Sequence, residues 1–500
     1  MKQFWVLTYQ KVQQRRSIIF ITTHTFLDLP RELRDEVYLH YVHVEGGLHF
    51  DFETGLLRTV DGAPINLSLM YTCRQIVFDM KGLALSANTV NFSTVLVESC
   101  DTRARAAHFD SFMEGLAMVR CDILDYCRHP ISPTRTSDLL QRFPSSAPLL
   151  CHPTTVVYDD LPPSLLRAFN ELALDLLYMN ERFNKASKKA FNSELWENST
   201  SAEVLSLRPL PWNIPTIDEL NELEAICNPN SPRNPDLGLC LEYYFSAAAA
   251  AIHFLSNLQS DIRTQIRCIV LNENNRSAVF PESHALGLIP FCEENPLVRV
   301  QRLADLWRAV FPDHGKRLIV PLFLIGSYQQ PQKGLEPAQM SSTLATWIDE
   351  AVALQAAGMP AESFWLIFEA HPSDLQIAFD ILKEDAGWQE ALEACYDRGF
   401  VQRPLENAYP NELAHRCHIS DSFPRNMRAI FTGNSWSYIQ MDVVKGDLWD
   451  IEPLVQRGRD WSIQKWEEEK NSADPGLLGI QVFRHWRIYI KATFTYVLLT

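Results

Sequence analysis

Apolar residues at Phe26, Leu29, Leu33, Val37 and Tyr41 recur every three or four positions, the spacing of one face of an amphipathic helix. Asp28 is placed to cap it, and Pro30 sits in the first turn, where a missing N–H costs nothing. Gly46 and Gly47 end the pattern. Alternation then takes over in Leu48–Glu53 and Leu56–Val60, on either side of Thr54-Gly55, and predicts a β-hairpin. Leu69, Cys73, Ile76, Val77 and Met80 predict a second helix, and Thr89–Val95 a short strand. Helical periods run over Ala106–Arg128 and Leu165–Phe191.

Farther along, helices and strands alternate. Helices are expected at Leu241–Gln259, Val298–Val310, Ser342–Ala356 and Leu375–Cys395. Strands are expected at Arg267–Leu271, Leu318–Ile325 and Phe364–Phe368. Strands separated by helices favour a parallel or mixed sheet covered by helices. Pro-rich stretches at His129–Thr155 and Pro209–Pro235 read as connectors, and Lys465–Lys470 as a solvated helix face. The expected fold class is therefore α+β or mixed α/β. The expected organisation is a poorly ordered basic tail over 1–25, a small domain over 26–100, a helical region over 101–208, a connector over 209–240 and a mixed α/β domain over 241–500.

Charge and composition narrow the function classes. Of the 500 residues, 46% are hydrophobic and 21% charged, an ordinary globular balance. The formal charge of −16 repels phosphate backbones and anionic lipid, which disfavours nucleic acid and membrane as partners. No apolar run approaches the ~20 residues that span a bilayer. The first 27 residues hold no Asp or Glu but do hold Lys2, Lys11, Arg15 and Arg16, a faint presequence character without the usual serine richness. Eleven cysteines without pairing in their spacing suggest free thiols and an intracellular setting, cytoplasm or nucleus.

Catalytic motifs are missing from the sequence. Gly433-Asn-Ser435-Trp-Ser437 lacks the second glycine of a nucleophile elbow, and Gly315-Lys316 lacks the rest of a phosphate loop. His415, Cys417 and His418 cluster without the second ligand pair of a structural zinc site. Pro281-Glu282-Ser283-His284 gathers an acid, a hydroxyl and an imidazole, but neighbours in sequence rarely converge as a triad does. The reading is no enzyme, no cofactor and no metal. If the α/β region has a cleft, Asn272–Arg276 and Glu282–His284 are the first places to look, because they follow a strand.

The segment Phe26-Leu-Asp-Leu-Pro-Arg-Glu-Leu-Arg-Asp-Glu-Val-Tyr38 resembles the first helix of an F-box, with its Leu-Pro-x-Glu start. Leu69-Met-Tyr-Thr-Cys-Arg-Gln-Ile76 resembles the Cys-Arg element that follows it. With Val90-Asn-Phe92, these are similar to the F-box-like domain of uncharacterised proteins of filamentous fungi. The match covers about seventy residues, Phe26 to Val95. Residues 266–288 and 290–307 also look like the later part of such proteins. The resemblance implies docking to the Skp-type adaptor of a cullin-RING ubiquitin ligase through Leu29, Pro30, Leu33 and Val37, with the larger region holding an unknown target protein. The hairpin between the matched elements departs from a plain three-helix F-box and offers a cover for the same apolar face. Two further readings stand beside this one: a scaffold whose F-box-like module is buried against the rest, and an enzyme using the α/β region.

Overall fold

The computed structural model describes residues 25–97, 105–127, 162–177, 206–227, 244–311, 334–335, 337–403, 417–433, 438–473 and 478–479. Its strands in chain order are β1 (Leu48–Asp51), β2 (Leu56–Arg58), β3 (Thr89–Ser93), β4 (Cys268–Glu273), β5 (Arg299–Asp305), β6 (Gly334–Leu335), β7 (Phe364–Glu369), β8 (Ile439–Gln440) and β9 (Leu478–Gly479). Seven of them form one sheet in the order β2-β1-β3-β4-β5-β7-β8. The β1–β2 hairpin is antiparallel and every other pairing in this sheet is parallel. β6 and β9 make a separate antiparallel pair.

The helices used below are α1 (Arg31–Val42), α2 (Arg74–Met80), α3 (Arg105–Cys127), α4 (Pro163–Leu177), α5 (Ile217–Cys227), α6 (Ala247–Asn257), α7 (Pro337–Ala356), α8 (Pro372–Asp397), α9 (Phe423–Thr432), α10 (Glu452–Gly458) and α11 (Ile463–Ala473). Among the described residues no helix is long and apolar enough to cross a membrane.

The central strands form because β-branched and aromatic side chains alternate there, so one set can be buried together. Phe92, Ile269, Leu271, Val300, Phe364 and Leu366 share a core with residues of α6, α7, α8 and α9. Their neighbours on the other face, among them Asn91, Val270, Gln301 and Trp365, are half-buried or exposed. The sheet is thus mixed α/β with one well-covered side. It runs from the hairpin to β8, so residues 26–100 and 241–500 contribute to a single sheet rather than standing as separate layers.

The passage from α1 into β1 depends on glycine. Gly46 and Gly47 have φ of 79° and 77°, where an L side chain is strained. A Cβ on Gly47 would also lie 2.5 Å from the Thr89 carbonyl oxygen, so the close approach of β1 to β3 requires its absence.

Several sequence expectations change in the folded chain. Val298–Val310 is not a helix: β5 occupies Arg299–Asp305 and a single wide turn follows at Leu306–Val310. The inward positions are Val300, Arg302 and Ala304, and the buried arginine hides the period of two. The helix expected through Leu69–Met80 is split into a 3₁₀ turn at Ser68–Tyr71 and α2, with Cys73 extended between them. The Tyr41 hydroxyl accepts the Leu69 N–H at 3.2 Å and takes it out of any helical ladder. Asp28 does not cap α1. Its carboxylate accepts the Thr25 N–H at 2.6 Å in a preceding turn, and Pro30 occupies the cap position. The connector 209–235 contains α5, whose start is held by reciprocal bonds between Thr216 and Glu219 at 2.7 and 3.2 Å. Finally, Lys465–Lys470 is not wholly solvated, because Lys470 is buried against Asp385 at 2.5 Å. The strand expected at 318–325, the connector at 129–155 and the glycine motifs at 315–316 and 434–437 lie outside the described residues.

Candidate functional site

Two places gather the residues singled out by sequence. The first is the N-terminal helix pair. α1 turns Tyr38 and Val42 inward, where they pack with Ile76 and Met80 of α2. The two helices are also joined by a buried carboxylate. Asp79, with its side chain fully covered, accepts hydrogen bonds from Arg31 Nη1 at 2.8 Å, Gln75 Nε2 at 2.9 Å and the Tyr38 hydroxyl at 3.4 Å. Arg34 Nη2 stands 3.5 Å away. Burying a carboxylate is costly unless such donors surround it, and their directions fix the roll of α1 against α2.

That roll decides what faces outward. Leu29 is 38% exposed, Leu33 53% and Val37 45%, and Pro30 is exposed beside them. Leu33 and Val37 are four positions apart and make one stripe along α1, while Leu29 stands in extended backbone just ahead of the Pro30 cap. The hairpin does not cover these residues, as their exposure shows; β1 and β2 pair instead at the edge of the main sheet. α2 leaves Val77 and Phe78 exposed as well, although Val77 is one of the apolar positions that predict this helix.

The second place is a buried polar cluster at the C-terminal end of β4, on the segments flagged from sequence. Arg302 of β5 forks onto Glu273 Oε1 through Nε and Nη2 at 2.9 and 2.8 Å. The same guanidinium donates to the carbonyls of Pro281 and Glu282 and lies 4.6 Å from the Trp347 ring centroid. Glu273 also accepts the Ala247 and Ala248 N–H groups at the start of α6, where the helix dipole favours negative charge. The cluster therefore ties β4, β5, α6 and the turn after Phe280 together.

Ser246 and His284 meet in the same region. The Ser246 hydroxyl lies 2.6 Å from His284 Nδ1 and accepts the Ala249 N–H at 2.9 Å. His284 Nε2 lies 2.7 Å from the Val279 carbonyl. Burial, with Arg302 nearby, pushes the His284 pKa down to about 3, so the ring is neutral at physiological pH. Nε2 then carries the proton toward Val279, and Nδ1 accepts from Ser246. Ser246 has no exposed surface and His284 only 1%. A serine and imidazole closed off in this way act as a cap and a brace, since no substrate atom reaches them. The brace holds an unusual backbone: Val279 and Phe280 both have positive φ, 63° and 55°, and the Asp110 carboxylate accepts the Val279 N–H at 2.7 Å.

Glu350 of α7 adds a third buried acid. Its Oε1 accepts the Ser164 N–H at 2.7 Å at the start of α4, while Oε2 has no hydrogen-bond partner among the described residues. Burial, with Glu282 adding to it, raises its pKa to about 7 against the opposing Ser164 bonds and the Arg167 guanidinium.

The remaining candidates do not assemble. His415 lies outside the described residues. Cys417 is buried against the Trp466 carbonyl, and His418 faces Asp421 at 3.7 Å. Among the described residues no three His, Cys, Asp or Glu side chains converge as metal binding requires. No family model matches this chain, and no curated protein or solved structure matches it either.

Proposed function

We propose that this chain is a protein–protein interaction protein whose F-box-like N-terminal module docks the Skp-type adaptor of a cullin-RING ubiquitin ligase, while the α/β region holds a target protein. The observation that carries this reading is the exposure of Leu33 and Val37 on α1, and of Leu29 just ahead of it, while the opposite face of the helix is already buried. Water-exposed aliphatic residues at intervals of four suit an apolar groove on a partner, in which their burial is completed. Each side chain fully buried there contributes about 1.5–3 kcal/mol before the costs of association. A scaffold with a self-buried module would need the same three residues inside the chain, and their exposure weighs against it.

Co-purification with the adaptor is the direct test. The expected result is a stoichiometric complex with the unaltered chain and none with Leu33→Asp or Val37→Asp. Retained binding by both variants would remove the stripe from the docking surface. Circular dichroism of the same variants checks that α1 is still folded.

A further inference from the structure

A cleft of about 330 Å³ lies between α8 and the segment leading into α10. Its floor is apolar: Trp388, Trp449, Ile451 and Leu454 border it, and Gly387 leaves room for the Trp449 ring beside α8. Its rim is acidic, with the exposed side chains of Asp380, Glu384 and Asp450. We propose that this cleft binds a lysine or arginine side chain of a partner polypeptide.

The two halves of the cleft call for the two halves of such a side chain. A long aliphatic stem lies on tryptophan and leucine while its charged head stays at the wet edge among carboxylates. The cationic residue that borders the cleft does not fill this role. The Lys383 ammonium donates to the Lys445 carbonyl at 3.3 Å and stands 5.1 Å from the Phe431 ring centroid. The hydrogen bonds of Asp380 and Asp450 are with Gln376 and the Glu452 N–H, neither of which brings a positive charge. Trp449 is fixed in place by its indole N–H, donated to Glu390 at 2.8 Å, and by Arg428, 4.8 Å from its ring centroid. The floor is thus preformed, which lowers the ordering cost of binding. The carboxylates are spread along the rim and do not converge, so a metal ion is a poor occupant. The negative charge of the chain, −16, draws basic partners toward it at long range.

This surface uses elements other than α1, so it stands or falls separately from adaptor docking. The test is fluorescence polarisation of the full chain with a labelled Gly-Ser peptide carrying three arginines, beside the same peptide with glutamines. Saturable binding of the arginine peptide alone is expected, weakened at least about tenfold by Asp380→Asn/Asp450→Asn. A control variant with two exposed acids neutralised in the hairpin and the turn that follows it, Glu53→Gln/Asp61→Asn, is expected to bind like the unaltered chain. Because Trp449→Ala also removes bonds that hold the fold, the charge variants carry the decision. The proposal is overturned if the glutamine peptide binds as well, if the cleft variant keeps full affinity, or if the hairpin control loses as much. Displacement by tetramethylammonium at the same charge concentration would overturn it too, since a compact free cation would then suffice.

Discussion

Arg302 and Glu273 meet at 2.8 Å inside the helix-covered face of the sheet, each side chain about 1% exposed. The pair stands where adjacent parallel strands would ordinarily carry two aliphatic residues. It is tolerable because each group is satisfied on several sides: carbonyls and an indole ring around the guanidinium, helix N–H groups around the carboxylate. Removing one partner strands the other. Arg302→Met is expected to cost about 3–5 kcal/mol in urea unfolding. Adding Glu273→Leu to it should recover part of that loss, because no uncompensated charge then remains.

Glu350 makes stability depend on pH. Its folded pKa of about 7 lies above the ordinary 4.5, so the folded state holds a proton that the unfolded state has released. The contribution is fully present below about 4.5 and is lost as pH rises through about 7. Chemical denaturation from pH 5 to 8 should show a fall of order 3 kcal/mol attributable to this group. Glu350→Gln should flatten that part of the profile and raise stability at pH 8. An unchanged profile in the variant would mean that another group titrates.

Asp79 fixes how α1 presents its stripe. Asp79→Ala should lower the thermal midpoint by several degrees and weaken adaptor binding, although Asp79 itself is covered. Asp79→Asn keeps acceptor capacity toward Arg31 and Tyr38 and should lose less of both. Adaptor affinity measured beside circular dichroism separates a lost stripe from an unfolded module.

Gly458 sits under Trp466. A Cβ there would meet the indole ring well inside contact distance, and Trp466 is fully buried with Trp388 and Val455 around it. Gly458→Ala should therefore destabilise this cluster by about 1–3 kcal/mol through overpacking. Quenched or shifted tryptophan fluorescence would report the change locally.

Cys292 is buried, and burial pushes its thiol pKa up to about 12. Iodoacetamide at pH 8 should leave it unmodified in the folded protein, and peptide mapping after brief labelling checks this.

Much of the architecture follows from local chemistry that the sequence carries openly. Phe364–Phe368 reads as a strand because it is a short unbroken apolar run, and Leu375–Cys395 as a helix because its apolar residues recur at helical spacing; β7 and α8 form there. Leu33 and Val37 lie on one stripe by spacing alone, whereas Leu29, which shares that spacing, falls in extended backbone ahead of α1. The Thr216–Glu219 box at the start of α5 was also legible, although the prolines around it suggested a connector. Tertiary structure decided the rest. Whether the α1 stripe faces water depends on Asp79, forty-two positions beyond Val37, turning the other face of the helix inward. Whether Val298–Val310 is helix or strand depends on Glu273 being present to neutralise Arg302 within the sheet. Periodicity records which residues share a face. It is silent on which face finds a partner, because that choice is made by pairings between residues far apart in the chain.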